Sequence, residues 1–302
     1  METHTTRTGV FLPEFSQPRR LMNGRVFDFS REVAVMAIIN RTPDSFYDQG
    51  ATFALKASVA AARQAIADGA DWVDIGGAKF APGPPVPIEV EIDRVIPVVE
   101  ALHGAGTVIS VDTFHPAVAR AALKAGAHVI NDTTGVHDPA MAEVVADSDA
   151  TLVITHSLAA PRTAYPAPRY EDVVREVSDF LLARVDRAVK HGMPLERLVI
   201  DPGHDLNKNT QHSLEITRRL SEITALGLPT LVAVSNKDFV GETLDRERTE
   251  RVEGSLAAMV FSILQGARIV RMHNVRASVD AAHMTEAILG FRQPAYLRHN
   301  QA

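Results

Sequence analysis

Eight short apolar runs punctuate this chain, and each ends in a polar residue or a tight glycine turn that a packed interior does not need. The runs are Val33–Ile39, ending at Asn40; Trp72–Ile75, ending at Gly76-Gly77; Val108–Val111, ending at Asp112; and Val129–Ile130, ending at Asn131-Asp132. The others are Leu152–Ile154, ending at Thr155-His156; Leu198–Ile200, ending at Asp201; Leu231–Val234, ending at Ser235-Asn236-Lys237; and Ile269–Val270, ending at Arg271 and His273. Continuous apolar runs of this length, separated by helix-like stretches, read as buried parallel strands in βαβ units. When every carboxyl end is polar, the ends share one site at the mouth of a barrel.

Between the runs lie alanine-rich amphipathic segments over 54–68, 89–103, 116–125, 139–146, 172–191, 213–226, 249–265 and 278–289. Gly69 is placed as a helix-terminating glycine, and Pro116 opens its segment at a first-turn position. Strict alternation of eight strands with eight helices predicts an α/β chain folded as a single-domain (β/α)8 TIM barrel. The rival is an open doubly wound sheet, but no G-x-G-x-x-G follows the first strand. The barrel is expected over residues 29–292, with a loosely ordered N-terminal extension over 1–28 and a tail over 293–302. Two connections exceed what packing requires: residues 40–53, and the Gly/Pro-rich 76–87. Both leave the site face and read as lids.

Composition excludes several classes. With 302 residues, a net charge of −6 and no basic stripe interleaved with aromatics, nucleic acid is not expected as a partner. There is no cysteine, hence no disulfide and no thiolate chemistry, which fits a cytoplasmic protein. No apolar stretch approaches the roughly 20 residues needed to span a membrane, and the N-terminus carries no signal-peptide core. Zinc spacings such as H-E-x-x-H are absent.

Asp112, Asn131 and Asp201 each follow an apolar run directly, so they belong on the floor of the mouth. Two carboxylates and an amide there match the N–H donors and carbonyl of an aminopyrimidine-like ring edge, and Lys237 is within the same reach. Arg271 and His273 share one face of the last strand, an arrangement that suits phosphate or pyrophosphate. Asn40 offers an amide to a hard cation or a phosphate. Asp44 and Asp48 place carboxylates on the first long loop.

These strings together resemble dihydropteroate synthases: INRTPDSFYDQG, GADWVDIGG, EIDRVIPVVEAL, ISVDTF, AGAHVINDTTG, LVIDPG, VSNKDFVGE, RVEGSLAAMV and GARIVRMHNV. The resemblance spans about residues 30–290. It implies a TIM barrel that joins 6-hydroxymethyl-7,8-dihydropterin pyrophosphate to the amine p-aminobenzoate with Mg²⁺, releasing pyrophosphate, and it implies a homodimer. By resemblance Asp112, Asn131, Asp201 and Lys237 hold the pterin, and Phe46, Pro82 and Asp238 complete the substrate-binding set. Asn40, Arg271 and His273 hold pyrophosphate, with Mg²⁺ near Asn40, and Asp48 stabilises the CH₂ cation left by the departing group.

The departures from that family cluster. Where the family has Glu-Ser-Thr-Arg-Pro-Gly, this chain reads Ala78-Lys79-Phe80-Ala81-Pro82-Gly83; where it has Ser-Arg-Lys-Ser, the chain reads Ser235-Asn236-Lys237-Asp238. Arg41 and His204-Asp205-Leu206 also differ. The pterin floor and the leaving-group clamp are kept, while the p-aminobenzoate end is rewritten, as in the diverged second paralogue of actinobacteria. Two readings follow: a dihydropteroate synthase-like transferase using p-aminobenzoate or a related amine, or a non-catalytic or low-activity pterin-binding paralogue. A methyltetrahydrofolate-binding methyltransferase domain is a third, disfavoured by the Arg271/His273 clamp.

Overall fold

A computed structural model describes residues 10–41, 50–78, 82–165 and 167–300, with only the backbone described at 50–53. Two strands come first, β1 (Arg19–Met22) and β2 (Arg25–Asp28). The barrel strands follow: β3 (Ala34–Asn40), β4 (Trp72–Gly76), β5 (Val108–Asp112), β6 (Val129–Asp132), β7 (Thr151–Thr155), β8 (Leu198–Asp201), β9 (Leu231–Val232) and β10 (Ile269–Met272). Helices α1 (Gly50–Ala67), α2 (Ile88–Ala101), α3 (Pro116–Lys124), α4 (Ala140–Ala146) and α5 (Val173–Lys190) lie between them. They are joined by α6 (Thr210–Arg218), α7 (Leu220–Thr224), α8 (Asp238–Leu244), α9 (Val252–Leu264) and α10 (Val275–Ile288). All eight barrel strands pair in parallel in the order β8-β7-β6-β5-β4-β3-β10-β9. The ring is completed at the β8–β9 seam by a parallel bridge from Ile200 to Thr230 and by the Ile200 N–H donating to the Pro229 carbonyl at 3.1 Å. The expected barrel is therefore the observed fold. The segment over 213–226 divides into α6 and α7, and α8 follows directly after Lys237.

The N-terminal segment differs from expectation. Within the stretch expected to be a loose extension, residues 19–28 form the antiparallel hairpin β1–β2. Asn23 and Gly24 both take positive φ (47° and 74°), as a two-residue hairpin turn with right-handed strand twist requires. Phe27 and Phe29 are fully buried and meet the Trp72 ring edge-on at 5.9 and 6.5 Å. The hairpin thus plugs the amino-terminal end of the barrel and leaves the carboxyl end for the site.

Alternation along each strand divides the core in two. Val35, Ile75, Ile130, Ile154, Ile200 and Val270 face the helices, whereas Met36, Trp72, Val129, Val153, Val199, Leu231 and Ile269 fill the barrel with the hairpin phenylalanines. Closing eight parallel strands requires a stagger of about one residue per strand, so interior layers take one residue from every second strand. The observed registers then give Trp72, Val129, Val199 and Ile269 as one apolar layer, and Met36, Ser110, Val153 and Leu231 as the next. Above these the chemistry changes abruptly.

Candidate functional site

The next layer up is Asp74, Asn131, Asp201 and Arg271, one from each of β4, β6, β8 and β10, with no apolar member. The side chains bond as neighbours in a layer should. Arg271 Nε donates to Asp74 Oδ2 at 2.6 Å, and Asn131 Nδ2 donates to the same oxygen at 3.1 Å. From the layer below, the Ser110 hydroxyl donates to Asp74 Oδ1 at 2.6 Å. Above this floor lie Ile38, Asp112, Thr155 and Ala233, and Arg271 reaches up to them, with Nη2 donating to Asp112 Oδ2 at 3.1 Å. Burial alone would lower the Arg271 pKa, but Asp74 and Asp112 together hold it above the ordinary arginine value.

Asn131 is oriented by this network. The Asp74 carboxylate accepts, so the Asn131 amide nitrogen must face it, which turns Oδ1 away. Oδ1 is buried and has no protein partner. Asp112 is pushed up to about 7 by burial, against Arg271 and with help from Asp74, Glu91 and Asp132. Asp201 is pushed up to about 6, again mainly by burial. Burial thus keeps the Asp112 and Asp201 carboxyls above the ordinary carboxylate range, and their oxygens with Asn131 Oδ1 line the cup with acceptors.

Asp201 is braced by the turn that follows it. Its Oδ1 accepts the Gly203 N–H at 2.7 Å, and its carbonyl accepts the His156 N–H at 2.9 Å. Gly203 has φ +66°, and a Cβ there would lie 2.3 Å from the His156 carbonyl oxygen, so only glycine closes this turn. Lys208, buried behind it, donates to the Gly203 carbonyl at 2.9 Å and approaches His156 Nδ1 at 2.7 Å. Burial draws the Lys208 pKa down to about 7, with Asp201 opposing. Lys237 stands at the foot of α8; burial lowers its pKa and Asp205 opposes.

At the rim, Asn40 is exposed at the end of β3. A Cβ on Gly76 would sit 3.5 Å from Asn40 Oδ1 and 3.8 Å from the Asp112 Cβ, so Gly76 separates rim from floor by little more than van der Waals contact. The His273 backbone N–H donates to the Ser235 hydroxyl at 3.1 Å, and its Nδ1 lies 3.0 Å from the same oxygen. Desolvation and the charges of Arg271, Arg248 and Lys237 hold His273 near 4, so it is neutral at pH 7. Asp238 is mostly exposed and accepts from Arg251 Nη1 at 3.0 Å. Asp205 Oδ2 accepts the Asp238 N–H at 2.6 Å, while its Oδ1 accepts from the Ser213 hydroxyl at 2.9 Å. Pro82 is exposed on the second long loop. Asp48 and Phe46 lie outside the described residues, as do Lys79, Phe80 and Ala81.

Arg271, Asp112, Asn131 and Asp201 therefore come together around one cup, with Lys237, His273 and Asn40 on its wall and rim. The family model of pterin binding enzymes matches residues 36–273, from the first barrel strand to the rim histidine. An Escherichia coli dihydropteroate synthase is 39% identical over 261 residues, covering 86% of this chain and 93% of the relative. The chain belongs to the dihydropteroate synthase family. A Mycobacterium tuberculosis protein described as inactive dihydropteroate synthase 2 is 47% identical over 267 residues, covering 86% of this chain and 84% of its own length. The Xanthomonas albilineans dihydropteroate synthase solved with 4-aminobenzoic acid superposes with a TM-score of 0.84 at 39% identity, over 91% of this chain and 99% of that one. Likeness to the mycobacterial protein matches the expected resemblance to a diverged second paralogue.

Reading apolar run ends missed Asp74, the hub of the dihydropteroate synthase-like floor. It lies inside its run, not at the end, but shares the inward parity of Trp72 and Gly76. A carboxylate in a strand buried on both faces needs a cation or several donors, and that cost is the signal that points to it. Lys208 lies outside every apolar run and reaches the site from behind, whereas Thr155 ends its own run at the mouth, where a lone hydroxyl does not by itself mark a role.

Proposed function

We propose that this chain is a dihydropteroate synthase-like transferase that takes 6-hydroxymethyl-7,8-dihydropterin pyrophosphate and an amine such as p-aminobenzoate, and releases pyrophosphate. The observation that carries this reading is the all-polar layer Asp74–Asn131–Asp201–Arg271, with the free Asn131 Oδ1 beside two carboxylates. Asn131, Asp112 and Asp201 accept the N–H groups of the aminopyrimidinone edge, and Lys237 donates to its acceptor atoms. Arg271 and His273 receive the pyrophosphate, and arrival of that anion favours protonation of His273. Breaking the CH₂–O bond leaves the electron pair on pyrophosphate and a cation delocalised into the ring, which Asp48 would stabilise. The amine lone pair then forms the C–N bond and the nitrogen loses a proton to solvent; this step needs placement more than a strong base.

Among the described residues no three His, Asp or Glu side chains cluster to hold a metal. Asn40 Oδ1 alone fits Mg²⁺ that arrives with the pyrophosphate, because Mg²⁺ commonly takes few protein ligands beside phosphate oxygens and water. Such an ion would neutralise charge on the leaving group. No helix among the described residues is long and apolar enough to cross a membrane. Exposed Phe261 on α9 and Met284 and Ile288 on α10 support association of two copies, which sedimentation would read as a homodimer.

A second reading, a pterin-binding paralogue without turnover, is favoured by the other end of the site. Asp238 adds a carboxylate where p-aminobenzoate carries its own, and Asp205 already takes the Asp238 N–H. Pyrophosphate release decides between them. The protein is incubated with the pterin pyrophosphate and Mg²⁺, with and without p-aminobenzoate. Release dependent on p-aminobenzoate, with product, supports an ordinary synthase. Release without that product indicates another amine acceptor. Pterin binding with no release supports the second reading.

A further inference from the structure

Thr155 stands in the layer directly above the floor, together with Ile38, Asp112 and Ala233, and pairs in register with Asp201. Its side chain has the inward parity of Val153, and its Cγ2 lies against Gly203, where a Cβ would approach it to 3.3 Å. The residue is 1% exposed, and its hydroxyl has no protein partner. A buried hydroxyl without a hydrogen bond is costly, and two apolar members of its own layer offer it nothing. Among the described residues, the cup holds a second buried side-chain atom without a partner, Asn131 Oδ1 on the adjacent strand. Two such atoms on neighbouring strands, both inward and both at the level of Asp112 and Asp201, are the imprint of one ligand edge.

We propose that Thr155 is a ligand-contacting, specificity-determining residue: its hydroxyl hydrogen-bonds the heterocycle that rests on the Asn131–Asp201 floor. The polarity follows from its neighbours. Asp112, Asp201 and Asn131 Oδ1 all accept, so they take the ligand's N–H groups. An aminopyrimidinone edge alternates those N–H groups with ring nitrogen and carbonyl acceptors. Thr155 is the neutral donor placed among the acceptors and supplies the hydrogen bond to one of them. The inference rests on the pterin reading above and adds a contact to it.

The test uses Thr155→Val, which keeps the shape and removes the hydroxyl, and Thr155→Ser, which keeps the hydroxyl. Binding of 6-hydroxymethyl-7,8-dihydropterin is measured by calorimetry on the full chain, with thermal unfolding of each ligand-free protein alongside. The expected result is that Thr155→Val binds about 3- to 10-fold more weakly, as loss of one neutral hydrogen bond implies, while its Tm is unchanged or raised. Thr155→Ser binds within about 2-fold of the parent. Wild-type binding with an unaltered Kd in Thr155→Val overturns this inference and leaves the pterin reading standing. A lowered Tm in Thr155→Val shows a protein partner for the hydroxyl and overturns it too. Absence of binding to the unaltered protein sinks the pterin reading and this inference with it.

Discussion

Replacing Asp74 by Leu removes the hub of the floor and is the sharpest perturbation of this site. Asp74 is fully buried and accepts from Arg271 and Ser110 at 2.6 Å each and from Asn131 at 3.1 Å. Truncating one partner of a buried ion pair typically costs about 3–5 kcal/mol, because the other charge stays buried without compensation. Arg271 keeps Asp112 at 3.1 Å, so the lower end applies, about 3 kcal/mol, or roughly 6–12 °C in Tm for a domain of this size. The affinity for dihydropterin falls as well, since the Asn131 amide loses the acceptor that orients it. Urea unfolding followed by circular dichroism gives the stability, and calorimetry gives the affinity. The double variant Asp74→Leu/Arg271→Met recovers part of the stability, because no buried arginine is left without Asp74 and Asp112, already pushed up to about 7, takes a proton once Arg271 is gone, yet it does not recover pyrophosphate affinity. A single-variant cost below about 1 kcal/mol with unchanged pterin affinity would refute the argument.

Three further outcomes are expected. Asp112 and Asp201 are held above the ordinary carboxylate value, so between about pH 4 and 7 the native state binds more protons than the unfolded chain. Their contribution is complete below pH 4 and is lost as pH rises through about 6 and 7; Asp112→Asn with Asp201→Asn flattens that fall in a urea titration across the window, and an unchanged slope contradicts it. Phe27→Ala empties the barrel plug and costs about 3–5 kcal/mol, measured by urea unfolding, whereas a loose N-terminal segment would register no loss. Ala81→Arg with Asp238→Ser raises p-aminobenzoate turnover; an identical rate in that double variant shows that these two positions do not limit it.

Much of this architecture was written in the apolar runs. Asp112, Asn131, Asp201 and Arg271 were legible because each interrupts apolar character at a strand end, where polarity serves no packing purpose. Asp74 was hidden by the run that contains it, and only the parity of Trp72, Asp74 and Gly76 places it inward. The hairpin at 19–28 was hidden because its strands are four residues each, too short for a period to register. Its Asn23-Gly24 turn between Leu21-Met22 and Val26-Phe27 is the one local signal for it. The orientation of Arg271 was beyond sequence altogether. It lies across Asp74 and Asp112, and which of several nearby carboxylates an arginine bridges is a property of distances.

The central claim is that the charged floor is a pterin site. Calorimetric titration of the unaltered protein with 6-hydroxymethyl-7,8-dihydropterin pyrophosphate and Mg²⁺ tests it most directly, with Asp201→Asn in parallel. The account predicts saturable binding of one ligand per chain, weakened at least about tenfold in Asp201→Asn, as loss of a charge-assisted hydrogen bond implies. No saturable binding by the unaltered chain, or equal binding by Asp201→Asn, would contradict it.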